Sequence, residues 1–125
     1  MRRLHFKPQA IRRHDFANSP VMSHLLTAFS STFPIGEQFF VQSVRNVRDQ
    51  VKDKTLQVQI AAFIDQEAMH SKAHTEFKAA WRTKQYNLDH FQAWLERKNH
   101  HVKKLRPKTQ LAITCAFENF TALLG

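Results

Sequence analysis

The sequence predicts an all-α protein, folded as a helical bundle. Of its 125 residues only two are Gly and four are Pro, so few positions interrupt a helix. Long stretches contain neither residue, and runs of β-branched residues are few. Apolar residues recur in steps of three and four, which is the period of one helix face. We expect a basic, irregular lead-in over residues 1–19 and a single helical-bundle domain over residues 20–125.

The chain has a formal net charge of +9, with 19 Lys and Arg against 10 Asp and Glu. Such a charge favours acidic partners, but the basic residues are spread along the sequence and accompany no nucleic-acid-binding motif. We therefore expect solvated basic faces and no specific nucleic-acid partner.

Three further features of the sequence bear on location. No stretch reaches the roughly 18 uninterrupted apolar residues of a transmembrane helix. The basic start has no hydrophobic region behind it, so it does not have the form of a secretory signal. Cys115 is the single cysteine and cannot form an internal disulfide, which suits a reducing cytoplasm. We expect a cytoplasmic protein in which Cys115 is a small buried residue.

The first helix signal is Ser19, a favourable N-cap before Pro20 at the first helical position. A short helix is predicted from Val21 to about Ser31, and Pro34 is expected to end it. The predicted apolar face of this helix consists of Met22, Leu25, Leu26 and Phe29.

A second helix is predicted from about Pro34 to about Gln50. One face carries a mostly apolar stripe: Phe33, Glu37, Phe40, Val44, Val47 and Val51. Glu37 is the acidic interruption of that stripe. A carboxylate in the first turn also complements the helix dipole, so Glu37 by itself does not require a metal.

The third predicted helix starts at about Leu56, with Asp53 as its N-cap, and ends near Arg82. Its core-facing stripe consists of Leu56, Ile60, Phe63, Glu67, His70, His74, Phe77 and Trp81. The middle of the stripe is thus a carboxylate and two imidazoles on one helix face. Three ionisable groups in a packing face are costly without a partner. A metal ion would satisfy them; a hydrogen-bonded polar patch or a face open to water are the alternatives.

The connection between the second and third helices places two of these carboxylates together. A short connection makes the helices antiparallel neighbours. If the chain turns near Lys52, Glu37 lies fifteen residues before the turn and Glu67 fifteen after it. At about 1.5 Å per residue, both lie roughly 22 Å from the turn. Two buried carboxylates at one level either share a proton or share a cation.

Two more helices are predicted after a break at Tyr86 and Asn87: one from about Leu88 to Lys104, and one from Pro107 to about Leu124. The last helix is apolar over most of its circumference, so we expect it to be largely buried. The histidines outside the third helix are expected at the surface: His5, His14, His24, His90, His100 and His101.

Glu118 is the acidic residue of the last helix, flanked by Phe117 and Phe120. A buried Glu in such surroundings needs a partner. That partner is either a basic neighbour such as Arg45 or Arg48, or a metal shared with the other carboxylates.

The inward-facing polar groups form a recognisable set: Glu37 on one helix, Glu67-x-x-His70 on the next, and Glu118 on a later one. In di-metal carboxylate bundles, two helices each contribute a Glu and two others each contribute a Glu-x-x-His motif. This chain shows a Glu, a Glu-x-x-His motif and a second Glu, and we expect the second half of such a di-metal centre to be missing.

Three pieces of the sequence resemble a known family. They are the Phe-Pro-x-Gly-Glu motif at residues 33–37, the Gln-Glu-x-x-His-x-x-x-His motif at residues 66–74, and the run Ala-Phe-Glu-Asn-Phe-Thr-Ala at residues 116–122. Together they resemble the bacterial "predicted metal-dependent hydrolase" family, and the resemblance extends over nearly all of the chain. It implies a ferritin-like helical fold.

The resemblance also implies metal binding through Glu37, Glu67, His70 and Glu118, with His74 as a further candidate. Such a carboxylate-rich set suits Fe or Mn, and Zn is possible. A metal-activated water would then attack an unknown small-molecule substrate, with His74 as the catalytic proton carrier. The same ligands would support iron-dependent oxidation. A non-catalytic, truncated relative that acts as a binding protein is the third hypothesis.

Members of this family continue past the helix of Glu118 into another ligand-bearing helix. The resemblance therefore predicts an incomplete bundle in this chain. An uncovered bundle face would be apolar and would favour a homodimer.

Overall fold

The computed structural model describes residues 16–82 and 88–124, without the side chains of residues 80–82 and 124. The predictions that concern other parts of the chain lie outside the described residues: the lead-in at residues 1–15, the side chains of Trp81 and Leu124, and the break at Tyr86 and Asn87.

Within the described residues the chain forms four α-helices and no strand, which confirms the prediction of an all-α bundle. The helices are α1 (Pro20–Arg48), α2 (Lys54–Arg82), α3 (Asp89–Val102) and α4 (Pro107–Leu124). Each of α2, α3 and α4 packs against α1, which is therefore the central helix. The fully buried apolar core is small: Phe39, Phe40, Val44 and Ile64.

Helix α1 begins as predicted but does not end at Pro34. The Ser19 hydroxyl accepts a hydrogen bond from the backbone N–H of Met22 at 3.3 Å, and Pro20 occupies the first turn. The prediction of two helices separated at Pro34 was wrong, because one helix of 29 residues continues through this proline. Pro34 is buried, and the Ser71 hydroxyl of α2 lies 3.4 Å from its carbonyl. Packing against α2 thus outweighs the backbone hydrogen bond that a proline removes.

The buried face of the first half of α1 also differs from the predicted one. Its buried residues are Ser23, Thr27 and Ser31, whereas Met22 and Leu25 are exposed. The hydroxyls of Thr27 and Ser31 donate to the carbonyls four residues before them, at 2.6 and 2.7 Å. Because these hydroxyls are satisfied within the helix, their burial costs little.

Helix α2 begins at the predicted cap and runs antiparallel to α1. The Asp53 carboxylate accepts a hydrogen bond from the backbone N–H of Leu56 at 2.7 Å. The antiparallel arrangement follows from two cross-helix contacts, Ser30 to His74 and Pro34 to Ser71, in which the residue number rises in one helix as it falls in the other.

Among the described side chains of α2, only two near the middle of the helix are buried, and of these Glu67 belongs to the predicted stripe. Ile64 and Glu67 are buried, whereas Leu56 is 44% exposed. Helix α2 therefore packs on α1 mainly where the ionisable residues lie.

Helix α4 also runs antiparallel to α1, and polar side chains together with the rings of Phe40 and Phe117 make the contact. Ser43 and Thr114 share a hydrogen bond of 2.7 Å, and Asn46 donates to Gln110 at 3.2 Å. Gln110 in turn donates to the backbone carbonyls of the α3–α4 turn. This turn is therefore anchored to α4.

The prediction that the last helix is largely buried was wrong. Phe117, Phe120 and Leu123 are 54%, 56% and 79% exposed, and Cys115 is exposed rather than buried. The reason is that α4 contacts α1 through Gln110, Thr114 and the ring of Phe117, which lies 6.1 Å from the ring of Phe40, and this contact leaves Phe120 and Leu123 exposed. Association of two copies through these exposed residues stays a prediction.

None of the described helices has both the length and the apolar character needed to cross a membrane.

We expect Ser43→Ala to lower the free energy of unfolding by about 1–3 kcal/mol, because Thr114 would keep a buried hydroxyl without its partner. Urea unfolding measures the change. Thr75→Ala is the matched control, since Thr75 is an exposed hydroxyl that bonds only within α2. An equal loss of stability in the two variants would contradict the prediction. The Ser43→Ala, Thr114→Val double variant should recover part of the loss.

Candidate metal centre

Glu37 of α1 and Glu67 of α2 lie together between the two helices. Each is only 3% exposed. The two helices are antiparallel about a short turn, so residues at equal distances from the turn face each other. The structure therefore brings together the two carboxylates that the sequence places at one level.

His70 lies beside this carboxylate pair. Its Nδ1 atom is 3.9 Å from Oε1 of Glu67, one helical turn away on α2. Glu37, Glu67 and His70 each offer one donor atom, and these three atoms all lie within 4.8 Å of one another. The side chain of His70 is 55% exposed, so the cluster is open to solvent on that side.

Glu118 of α4 approaches the same cluster from a third helix. It is half-buried, and its charge acts on both Glu37 and Glu67. It is not one of the three residues whose donor atoms lie within 4.8 Å of one another. Within the described residues Glu118 forms no ion pair with Arg45 or Arg48, and Arg48 pairs with Asp49 at 3.2 Å.

Burial and mutual repulsion make ionisation of these carboxyl groups unfavourable. Burial, followed by the charges of Glu67 and Glu118, raises the pKa of Glu37 to about 8. Burial, followed by the charge of Glu118, raises the pKa of Glu67 to about 7. Burial also raises the pKa of Glu118. In the absence of a cation, the cluster therefore retains protons at neutral pH.

One oxygen of the cluster has no partner. Oε2 of Glu37 is buried and forms no hydrogen bond. A buried carboxylate oxygen without a partner is costly, and a cation is one group that would satisfy it. Two carboxylates and an imidazole are donors that divalent Fe, Mn and Zn accept. The donor set thus fits a divalent metal ion.

His74 lies one helical turn after His70 on α2, beside Glu37, and three contacts hold it in place. Its ring stacks on Phe33 with 4.5 Å between centroids. Its Nδ1 atom is 3.0 Å from the Ser30 hydroxyl, and its Nε2 atom is 3.9 Å from Oε1 of Glu37. Burial, followed by the charge of His70, lowers the pKa of His74. The imidazole is therefore predominantly neutral at pH 7.

Ser30 is the contributor to this site that the sequence reasoning missed. A signal was present, because Ser30, Phe33 and Glu37 are spaced i, i+3 and i+7 and so share one helix face. The face is continuous only if the helix passes through Pro34. Treating Pro34 as a helix end therefore hid Ser30.

We expect the metal-free protein to become less stable as the pH rises from 5 to 8. Glu37 and Glu67 have raised pKa values in the folded state, so their stability contribution is complete below pH 4.5 and is lost as the pH rises towards 7 and 8. The pKa of His74 is lowered, so its contribution to stability increases as the pH rises towards 6.5. Urea unfolding of chelator-treated protein measures the dependence.

The variants that test this expectation are Glu37→Gln and Asp65→Asn. Glu37→Gln should reduce the loss of stability between pH 5 and 8, since the amide does not ionise. Asp65→Asn should change it little, because Asp65 is exposed. A wild-type stability that rises from pH 5 to 8, or a Glu37→Gln variant with the full decline, would contradict it.

Comparison with known proteins identifies a matching family. The family model described as "Predicted metal-dependent hydrolase" matches residues 1–125. A search of curated proteins and a search of solved structures found no match. Since the family model covers the whole sequence, the chain belongs to the predicted metal-dependent hydrolase family.

Proposed function

We propose that this protein is a metal-dependent hydrolase whose metal is held by Glu37, Glu67 and His70, with Glu118 as a fourth ligand. The observation that carries the proposal is the buried carboxylate pair with one oxygen of Glu37 left without a partner. Family membership supports the same chemistry. The substrate is proposed to be a small molecule, whose class the site does not define.

The electrostatics of the cluster support a divalent ion over a permanently protonated pair. A cation between Glu37 and Glu67 removes both the desolvation cost and the repulsion that raise their pKa values. Three carboxylates and one histidine form a hard donor set, which suits Fe or Mn better than structural Zn.

The open side of the cluster supports catalysis rather than a closed structural site. Catalytic metal sites keep a position for water or substrate, and His70 leaves this cluster accessible to solvent. A bound metal ion would supply a water of lowered pKa as the nucleophile. The carboxylates of Glu37 and Glu67 hold and orient the ion from the buried side.

His74 is proposed to be the proton carrier. With Nδ1–H donating to the Ser30 hydroxyl, the free lone pair of the ring lies on Nε2, which faces Glu37. The stacking on Phe33 limits rotation of the ring. Burial keeps the pKa of His74 low enough for the neutral imidazole to accept a proton near pH 7.

We expect purified protein to contain Fe or Mn, and Glu67→Gln and His70→Ala to lower metal affinity at least about 100-fold, because each removes a ligand rather than a supporting group. Elemental analysis and metal titration measure the effect. Asp65→Asn is the control, since Asp65 is an exposed carboxylate on the same helix. Metal content that is the same in all three variants would overturn the proposal.

We expect Ser30→Ala to alter the tautomer of His74 without releasing the metal. In zinc-loaded protein, nitrogen NMR should show His74 protonated on Nδ1, and the variant should show a mixture, since Nδ1–H loses its hydrogen-bond acceptor. Thr32→Ala is the control, because the Thr32 hydroxyl bonds within its own helix. An unchanged tautomer in Ser30→Ala would rule out this role for Ser30.

A further inference from the structure

One end of the bundle, remote from the carboxylate cluster, collects exposed basic side chains. We call this surface the basic end and define it as residues 45–54 and 103–108. Its cations are all exposed: Arg45, Arg48, Lys52, Lys54, Lys103, Lys104, Arg106 and Lys108.

The fold brings these two segments together, although they are about fifty residues apart in the sequence. Asn46 near the end of α1 donates to Gln110 in α4 at 3.2 Å. Gln110 also donates to the backbone carbonyls of Lys103 and Leu105, at 2.9 and 2.7 Å. The α3–α4 turn therefore lies beside the last turn of α1 and the turn that leads to α2.

The basic end is strongly and openly charged. It contains eight basic residues and two acidic ones, Asp49 and Asp53. The net charge of the basic end is therefore +6, in a chain whose net charge is +9. Within the described residues, Arg48 pairs with Asp49 at 3.2 Å, and no other cation of the basic end has an acidic partner within 4.0 Å. These charges are available to a partner.

The breadth of the basic end indicates an extended polyanion rather than a small anion. Packed helices lie about 8–10 Å apart, so segments from three helices span roughly 20 Å. A single phosphate or carboxylate reaches two or three of these side chains. A nucleic-acid duplex presents roughly twelve phosphate charges over the same length, at about one per 1.7 Å.

The neutral residues of the basic end favour nucleic acid over a membrane surface. Gln50, Thr55 and Thr109 are exposed at or beside it, and amide and hydroxyl groups commonly contact phosphate oxygens. The segments that define it contain no aromatic residue and one exposed large apolar residue, Leu105, whereas membrane-surface helices insert several Trp, Phe and Leu side chains.

We propose that the basic end binds the phosphate backbone of nucleic acid without reading its sequence. The interaction does not depend on the metal centre, because eleven residues of α1, or about 16 Å, separate Glu37 from Arg48.

Fluorescence anisotropy with a labelled 20-base-pair DNA duplex tests the proposal. We expect a dissociation constant of about 1–100 μM near physiological salt. The logarithm of the association constant should fall by about 5 to 7 for each ten-fold rise in salt concentration. The Lys103→Glu, Lys104→Glu double variant should bind at least about ten-fold more weakly, with a salt slope smaller by about 2. Glu67→Gln should bind as the wild type does.

The matched control is the Lys72→Glu, Arg97→Glu double variant, which makes the same charge change at exposed positions outside the basic end. Equal weakening by the two double variants would overturn the proposal, since only the total charge would then matter. The proposal would also be wrong if the wild type did not bind the duplex, even if it bound vesicles of anionic lipid. Arg106→Gln with Lys108→Gln repeats the test at two other positions with milder substitutions, and circular dichroism verifies the fold of each variant.

Discussion

The burial of two carboxyl groups against each other, Glu37 on α1 and Glu67 on α2, is the constraint on which the rest of the structure depends. Both side chains are almost fully enclosed, burial raises the pKa of each, and the charge of Glu67 raises the pKa of Glu37 further. A hydrophobic pair of similar size would stabilise the fold without this cost. The presence of carboxylates instead at these two facing positions therefore favours a fold in which they bind a cation.

Helix α1 allows this arrangement because the other three helices pack on it. Its buried face carries small hydroxyl residues in the first half, the carboxylate in the middle and apolar residues towards the end. The hydroxyls are satisfied by the helix backbone, and Ser43 bridges to α4. Much of the packing is thus polar, and few large apolar residues are fully enclosed. The fold positions donor groups from three helices at the cost of a small core.

The carboxylate cluster and the basic end have opposite electrostatic character. The carboxylate cluster is acidic, partly enclosed and made of residues whose spacing admits a single ion. The basic end is exposed, broad and positively charged, so it suits a partner with many charges. Because α1 extends through both, the same helix orients each surface, with Glu37 about 12 Å from Arg45 and about 16 Å from Arg48 along its axis.

Local rules were sufficient for much of the chain. Helix caps at Ser19 and Asp53 and the start at Pro107 depend on neighbouring residues, and the level of Glu37 and Glu67 depends on helix rise and one short turn. The sequence by itself therefore determined the helices and the carboxylate pair. Tertiary packing decided the rest: the continuity of α1 through Pro34, the exposed apolar face of α4 and the contact between Ser30 and His74. Each of these depends on which helix face meets a neighbour, and no local pattern specifies that.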